Sequence, residues 1–116
     1  MVSAVPPRDR RLRERWQFRE AYQSGQSFHG NLMSLVSLVR SDDHGRVAFV
    51  ASRRVGSAVR RNRAKRLLRE AWRAVPAVVR EEARWRIWIA RASCSRSTLD
   101  QVKAEMGRLL AGRRTR

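Results

Sequence analysis

Ala64, Leu67, Leu68, Ala71 and Val75 recur at the spacing of one buried helical face, the last four all within about 60° of Ala64 at about 100° per residue. No other stretch limits the fold as strongly. A helix expected over Ala58 to Val75 must lay this face on a core, and its remaining surface is strongly charged. Between Ser52 and Arg73 there are nine basic side chains: Arg53, Arg54, Arg60, Arg61, Arg63, Lys65, Arg66, Arg69 and Arg73. Glu70 is the one acid among them. Arg61, Lys65 and Arg69 form a stripe along one flank, while Asn62, Arg66 and Arg73 lie nearly opposite the core. Like charges four residues apart cost an isolated helix a few tenths of a kcal/mol per pair. A sequence that carries this cost implies a target that neutralises it. Ser57 is the expected N-cap, Gly56 the position for a tight or left-handed backbone, and Pro76 the stop.

The flanking segments supply what this helix can pack on. Leu12 to Ser24 reads as a helix ending at Gly25, with Phe18 and Tyr22 on a shared face and Trp16 on a different side. Ser27 to Gly30 is a connection that starts with an edge strand. Leu32 to Arg40 is a short apolar run bounded by turn residues, hence a strand. Ser41 to Gly45 is a turn, and Arg46 to Ala51 is read as the returning strand of a hairpin. Ala77 to Arg84 is a polar connection, helical at first. In Trp85 to Arg91, Ile87 and Ile89 alternate with Trp88 and Ala90, so both faces are apolar, as in a central strand. Ser97 is expected to cap a last helix, Thr98 to Ala111, with Leu99, Val102, Met106, Leu109 and Leu110 on its apolar side. The expected architecture is one α+β domain over residues 1–116, with helices over a small sheet. Residues 1–10 are expected to form a flexible basic arm and 112–116 a basic tail.

Composition narrows the partner. The chain has 116 residues and a net charge of +17. That charge opposes compaction by self-repulsion, and a polyanion relieves it. Of the 27 basic residues only Lys65 and Lys103 are lysines. Arginine forks bind phosphate in a bidentate manner and stack on bases, which favours nucleic acid over a membrane surface or an acidic protein. Cys94 is the single cysteine, so no intrachain disulfide forms, and no Cys/His set has metal-ligand spacing. No run approaches the length of a membrane span, and Met1 to Arg15 lacks an apolar signal core, so a reducing cytoplasm is the expected setting. No phosphate-binding glycine loop and no nucleophile–base arrangement is present. His29 and His44 are read as solvated residues. Asp42-Asp43 and Glu81-Glu82 are read as surface charge, not as a two-metal site. Any chemistry must belong to a partner. Phe18 and Tyr22 have two readings, as core residues packing their helix on a sheet or as stacking platforms for unpaired bases. A basic helix of this kind also occurs in calmodulin targets and at membrane surfaces.

The run Arg53-Arg54-Val55-Gly56-Ser57-Ala58-Val59-Arg60-Arg61-Asn62-Arg63-Ala64-Lys65-Arg66-Leu67-Leu68-Arg69-Glu70-Ala71-Trp72-Arg73 resembles the signature of the bacterial ribonuclease P protein family. That signature is a basic pair, then Val/Ile-Gly-x-Ala-Val-x-Arg-Asn-Arg-x-Lys-Arg and a helical continuation. Leu12 through Phe18, Tyr22 and Gly25 resemble the family's opening helix, and Trp85 to Arg91 its strand ending in Ala-Arg. The resemblance covers roughly residues 8 to 111.

The resemblance implies a four-stranded mixed sheet flanked by three helices in the order α-β-β-β-α-β-α, a ribosomal-protein-like fold with a left-handed crossover through the basic helix. It implies a ribonucleoprotein that removes the 5′ leader of precursor tRNA, with the catalytic centre and its magnesium in the RNA subunit. The chain itself would hold no cofactor or metal and no catalytic residue, and would bind neither a membrane nor an evident protein partner. The RNA-facing set implied is Arg53, Arg54, Arg60, Arg61, Asn62, Arg63, Lys65, Arg66, Arg69 and Arg73. The implied leader cleft is Phe18, Tyr22 and Val36, with Arg54, Lys65 and Arg69 as phosphate contacts. Val36 stands where the family often has an aromatic, and Trp72 where Phe is usual. Two other classes fit the composition: a small ribosomal protein, and a DNA-binding regulator, for which no helix-turn-helix spacing exists.

Overall fold

A computed structural model describes residues 10–112. The expected arm and tail therefore lie outside the described residues, apart from Arg10 and Gly112. The element order is α1 (Arg15–Ser24), β1 (Gln26–His29), β2 (Met33–Val39), β3 (Arg46–Val50), α2 (Ala58–Arg73), α3 (Ala77–Arg80), β4 (Arg84–Ala90) and α4 (Leu99–Leu110). Short 3-10 turns lie at Arg53–Val55 and Ala92–Arg96.

The four strands form one mixed sheet in the order β1-β2-β4-β3. β4 pairs antiparallel with β2, with Val36 opposite Ile87, and parallel with β3, with Ala48 opposite Ile87. This corrects one expectation. β3 is not the second strand of a hairpin with β2, because β4 lies between them. The cause is the two-sided apolar character of β4. Trp85, Ile87 and Trp88 are at most 1% exposed, which requires a neighbour on each edge and cover on each face. β3 reaches β4 through the α2 crossover, an α+β arrangement of one small domain.

The two sheet faces have separate cores. On one, Met33, Leu35, Trp88 and Ala90 meet Leu67, Leu68 and Ala71 of α2 and Val102, Met106 and Leu109 of α4. There α2 lies over β3 and β4, and α4 packs beside it over β2. On the other, Val36, Ala48, Trp85 and Ile87 meet Leu12 and Ala21. Each buried Val, Leu, Ile or Met among them contributes about 1.5–3 kcal/mol.

α1 begins later than its periodicity suggests. The Leu12 amide donates to the Val47 carbonyl at 3.1 Å, and Arg11 bridges to Val47, so this stretch covers part of the open edge of β3. The Gln17 side chain then accepts from the Arg13 and Glu14 amides, which starts the helix. Gly25 ends α1 with an extended backbone, φ −83°. Its role is close approach, since a Cβ there would meet the Ser37 carbonyl of β2 at 2.9 Å. α1 thus crosses the strands, from Val47 on β3, past Trp85 on β4, to Ser37 on β2. Ser57 caps α2 as expected, accepting from the Arg60 amide at 3.3 Å. Gly56 has φ +134°, a conformation that side chains oppose. Thr98, not Ser97, caps α4, in a reciprocal box with Gln101. The Ser97 hydroxyl instead donates to the Ser93 carbonyl.

Candidate nucleic-acid interface

The basic side chains of the 53–73 segment hold their positions by three means. Arg53 and Arg54 sit on the 3-10 turn that follows β3, where the Ser52 hydroxyl accepts the Arg54 amide. Arg61 donates to the Gly56 carbonyl at 2.8 Å. Arg63 donates from Nε to the Ser95 carbonyl at 2.7 Å and from Nη2 to that of Ser97 at 3.3 Å. None of these bonds cancels charge. Only Arg73 of this set forms an ion pair among the described residues, with Glu70 at 3.4 Å. Arg53, Arg54, Arg60, Asn62, Arg63 and Arg66 are exposed, while Arg61, Lys65 and Arg69 are half-buried. On α2 the outer set Asn62, Arg66 and Arg73 is exposed and the flank Arg61, Lys65 and Arg69 is half-buried.

The flank has a direction. Arg63 turns to the 92–96 turn, and Ala71 and Ala74 share a cavity with Lys103, Gly107 and Leu110 of α4. The Arg61–Lys65–Arg69 stripe is on the other side of α2, over the β3 edge.

A groove lies on the opposite face of the sheet. Phe18 and Tyr22 have ring centroids 6.5 Å apart with planes tilted by 33°. Phe18 is half-buried against the core, and Tyr22 is 50% exposed. Burial raises the Tyr22 hydroxyl above its ordinary 10.0, so it stays protonated and can donate. Because α1 crosses the strands with Trp16 toward Trp85, this aromatic pair faces the other end of the sheet. There one row spans all four strands: His29 opposite Ser34, Ser34 opposite Ile89, Ile89 opposite Val50. Ser34, Ile89 and Val50 are only half-buried, so they form an open floor beside the aromatic wall. His29 Nδ1 lies 3.1 Å from the Ser34 hydroxyl.

The structure therefore brings Phe18 and Tyr22 together and leaves Tyr22 accessible, which joins the two sequence readings of this pair. Val36 differs. It is 5% exposed beneath α1 and belongs to the core, so it lines no accessible wall. Arg54 lies on the 3-10 turn that follows the Val50 end of β3. Lys65 and Arg69 are on α2, across the sheet from α1, and share with the groove only the β3 edge. Asp42 and Asp43 are also not plain solvated charge. Asp42 accepts two bonds from Arg40, each 3.0 Å. Asp43 accepts from Arg46 at 2.6 Å, from Trp85 Nε1 at 3.0 Å and from the His44 amide at 2.7 Å. Among the described residues no group of three or more His, Cys, Asp or Glu could hold a metal ion. Cys94 is buried, and burial, with a smaller effect from Glu105, pushes its thiol up to about 11, so it is protonated at neutral pH. No helix among the described residues is long and apolar enough to cross a membrane.

Sequence reasoning missed the groove floor and the exposed pair Arg15 and Arg19 on the crest of α1. The floor depends on strand register, which carries no local signal. Arg15 and Arg19 are four apart on a helix and could have been found by spacing alone.

The model of the ribonuclease P family matches residues 7–113 of this chain. The ribonuclease P protein component of Alkaliphilus oremlandii is 31% identical, covering 86% of this chain and 87% of its own length. That of Alkaliphilus metalliredigens is 28% identical, covering 86% and 89%. The solved structure of the Thermotoga maritima RNase P protein superposes with a TM-score of 0.74 at 28% identity, over 86% of this chain and 94% of that one. The Staphylococcus aureus RNase P protein gives 0.76 at 24% identity over 92% and 91%, a likeness of fold.

Proposed function

The chain belongs to the ribonuclease P protein family, and from that membership we propose a division of labour in which it supplies cations and aromatic surface while the RNA subunit supplies the catalytic centre. As the protein component of ribonuclease P it acts in tRNA processing, as part of a ribonucleoprotein with an RNA subunit. Membership does not favour the ribosomal-protein or DNA-regulator readings.

In this proposal the reaction is endonucleolytic removal of the 5′ leader from precursor tRNA, in the cytoplasm, giving the mature 5′ end. The outer face of α2, with Asn62, Arg66 and Arg73, meets the catalytic RNA near the cleavage site, together with the exposed Arg60 and Arg63. The groove takes the leader as a single strand. A base stacks on Tyr22 and Phe18, each such contact contributing about 1–3 kcal/mol. Arg54 neutralises phosphate at the turn after β3, and Lys65 and Arg69 do so where the strand passes the β3 edge. Among the described residues no acidic cluster fits a magnesium site, since Asp42 and Asp43 are already taken by Arg40, Arg46 and Trp85. Magnesium is placed with the RNA, and no step runs through a protein-held ion.

The observation that carries this reading is the pairing of uncompensated cations from Arg53 to Arg69 with an open surface walled by Phe18 and Tyr22 on the other face of the same sheet. The test adds the purified chain to the catalytic RNA at low magnesium and follows precursor tRNA cleavage. Rescue of cleavage is expected. No rescue at any protein concentration would sink the assignment of roles. Tyr22→Ala should weaken binding of precursor tRNA about tenfold and leave mature tRNA unchanged; equal losses for both would remove the leader from the groove.

A further inference from the structure

The flank of α1 opposite the groove carries an aromatic assembly that the proposed function does not use. Trp16 is 52% exposed, whereas Trp72, Trp85 and Trp88 are 7%, 1% and 0% exposed. The exposed Trp16 indole offers a large, rigid π surface to a ligand. Its orientation is fixed from below. The Trp16 and Trp85 ring centroids are 5.5 Å apart at 63°, an edge-to-face contact. Trp85 is in turn held by its Nε1 bond to Asp43, and the Arg40 guanidinium covers it at 4.2 Å from the ring centroid. Arg40 is locked by its two bonds to Asp42. The ring that remains open is therefore pre-organised, which lowers the entropy lost on stacking.

Charge selects the partner. On the helix, Arg15 and Arg19 lie between the Phe18–Tyr22 flank and the Trp16 flank, and both are exposed. Neither forms an ion pair among the described residues. α1 therefore presents an aromatic, a basic crest and a second aromatic in sequence across its width. Cations interleaved with stacking rings match a single RNA strand, whose phosphates and bases alternate. An apolar protein partner would leave the two guanidiniums desolvated and unpaired.

We propose that Trp16 is a second stacking platform, on which an unpaired nucleobase of RNA sits while Arg15 and Arg19 hold the adjoining phosphates. The site rests on the RNA-binding reading above and extends it. A strand leaving the Phe18–Tyr22 groove crosses the crest of α1 and is gripped again on the far side.

Trp16 is the only exposed indole of the four, so the part of the tryptophan emission that Trp16→Phe removes reports on it. The full chain is titrated with a labelled, short oligouridylate and, separately, with an RNA duplex of the same length. Anisotropy of the label reads binding, and indole emission reads stacking. The single strand is expected to quench the emission and the duplex is not. Trp16→Ala and Trp16→Leu should bind the single strand about five- to hundredfold more weakly, with Trp16→Phe within about threefold of wild type. Trp16→Leu keeps an apolar cover on Trp85 but has no π face, and thermal melts of each variant show whether the fold is retained. Binding without quenching overturns the platform and leaves the RNA-binding reading standing. So does equal quenching by the duplex, or a Trp16→Leu variant that binds like wild type. No rise in anisotropy with either RNA overturns both.

Discussion

Arg63 and Arg66 are one helical turn apart, yet they carry different duties. Arg63 clamps the carbonyls of Ser95 and Ser97 and so ties α2 to the turn before α4. Arg66, exposed like Arg63, makes no such clamp and lies on the outer face. Removing Arg63 leaves two carbonyls without a charged donor, a loss of about 2 kcal/mol, so Arg63→Ala should lower Tm by about 10 °C. Arg66→Ala should leave Tm nearly unchanged. Its effect belongs to binding: the slope of log affinity against log salt should fall by about 0.7–0.9, the change expected when one phosphate is no longer neutralised. Thermal melts and RNA titrations at several salt concentrations separate the two. An equal drop in Tm for both variants would refute the distinction. Sequence alone treats these arginines as equivalent, because a guanidinium that meets a carbonyl 32 residues away leaves no local mark.

At the scale of elements, single carboxylates join segments that the pattern of apolar residues does not connect. Glu105 on α4 is 1% exposed and accepts from the amides of Asn31, Leu32 and Met33 at 3.1, 2.6 and 3.1 Å. It fixes the turn between β1 and β2, and with it the edge of the sheet. Glu105→Ala should destabilise by about 3 kcal/mol in urea melts, since buried amides lose their acceptor. Glu70→Ala, which removes an exposed ion pair, should cost no more than about 0.5 kcal/mol. Comparable losses would show that the turn holds by other means. Asp43 does the same for the loop after β2, and it titrates. Burial pushes its carboxyl up, but the bonds from Arg46, Trp85 and the His44 amide together outweigh this and hold it below the ordinary 3.8. The unfolded chain therefore takes the proton first as pH falls. Stability from Asp43 is complete above 3.8 and is lost as pH drops through the lower folded value. The Tm gap between wild type and Asp43→Asn should be widest near neutrality and close below that pH. A gap that is constant from neutral to acid pH would mean that the charge contributes nothing.

These joins also explain what the chain discloses in advance. The apolar face of α2, its Ser57 cap and the Gly56 turn are legible because each is a local pattern with one structural meaning. The Phe18–Tyr22 pair is legible by its spacing of four. The β2–β3 hairpin misleads because two strands joined by a tight turn normally pair. Here a strand some 35 residues later in the chain, apolar on both faces, takes the place between them. Val36 misleads for a related reason: α1 crosses the strands at its level and buries it. Which half of a sheet face stays open is set by where a helix lands, and that is a property of the assembled fold.

For the molecule as a whole, the dominant quantity is the charge of +17. The ion pairs seen among the described residues are mostly local, and several join residues two to four apart. They leave the Arg53–Arg69 surface and the crest of α1 uncompensated, at Debye lengths of about 10 Å in moderate salt. The free chain therefore folds against its own repulsion, and anions that occupy the arginine surfaces must stabilise it by linkage. Two mechanisms are distinguishable. Screening depends only on ionic strength and treats chloride and phosphate alike. Site occupancy depends on the anion, because guanidinium forks take phosphate oxygens in pairs. Melts in sodium chloride and in sodium phosphate at matched ionic strength should give a higher Tm in phosphate, by several degrees. Phosphate also raises Tm through exclusion from the surface, so the decisive comparison uses Arg66→Ala combined with Arg69→Ala. Those substitutions remove two cations from α2 and should reduce the advantage of phosphate over chloride. An advantage of unchanged size in the double variant would mean that phosphate acts on the bulk solvent and that the basic helix is not where the anion binds.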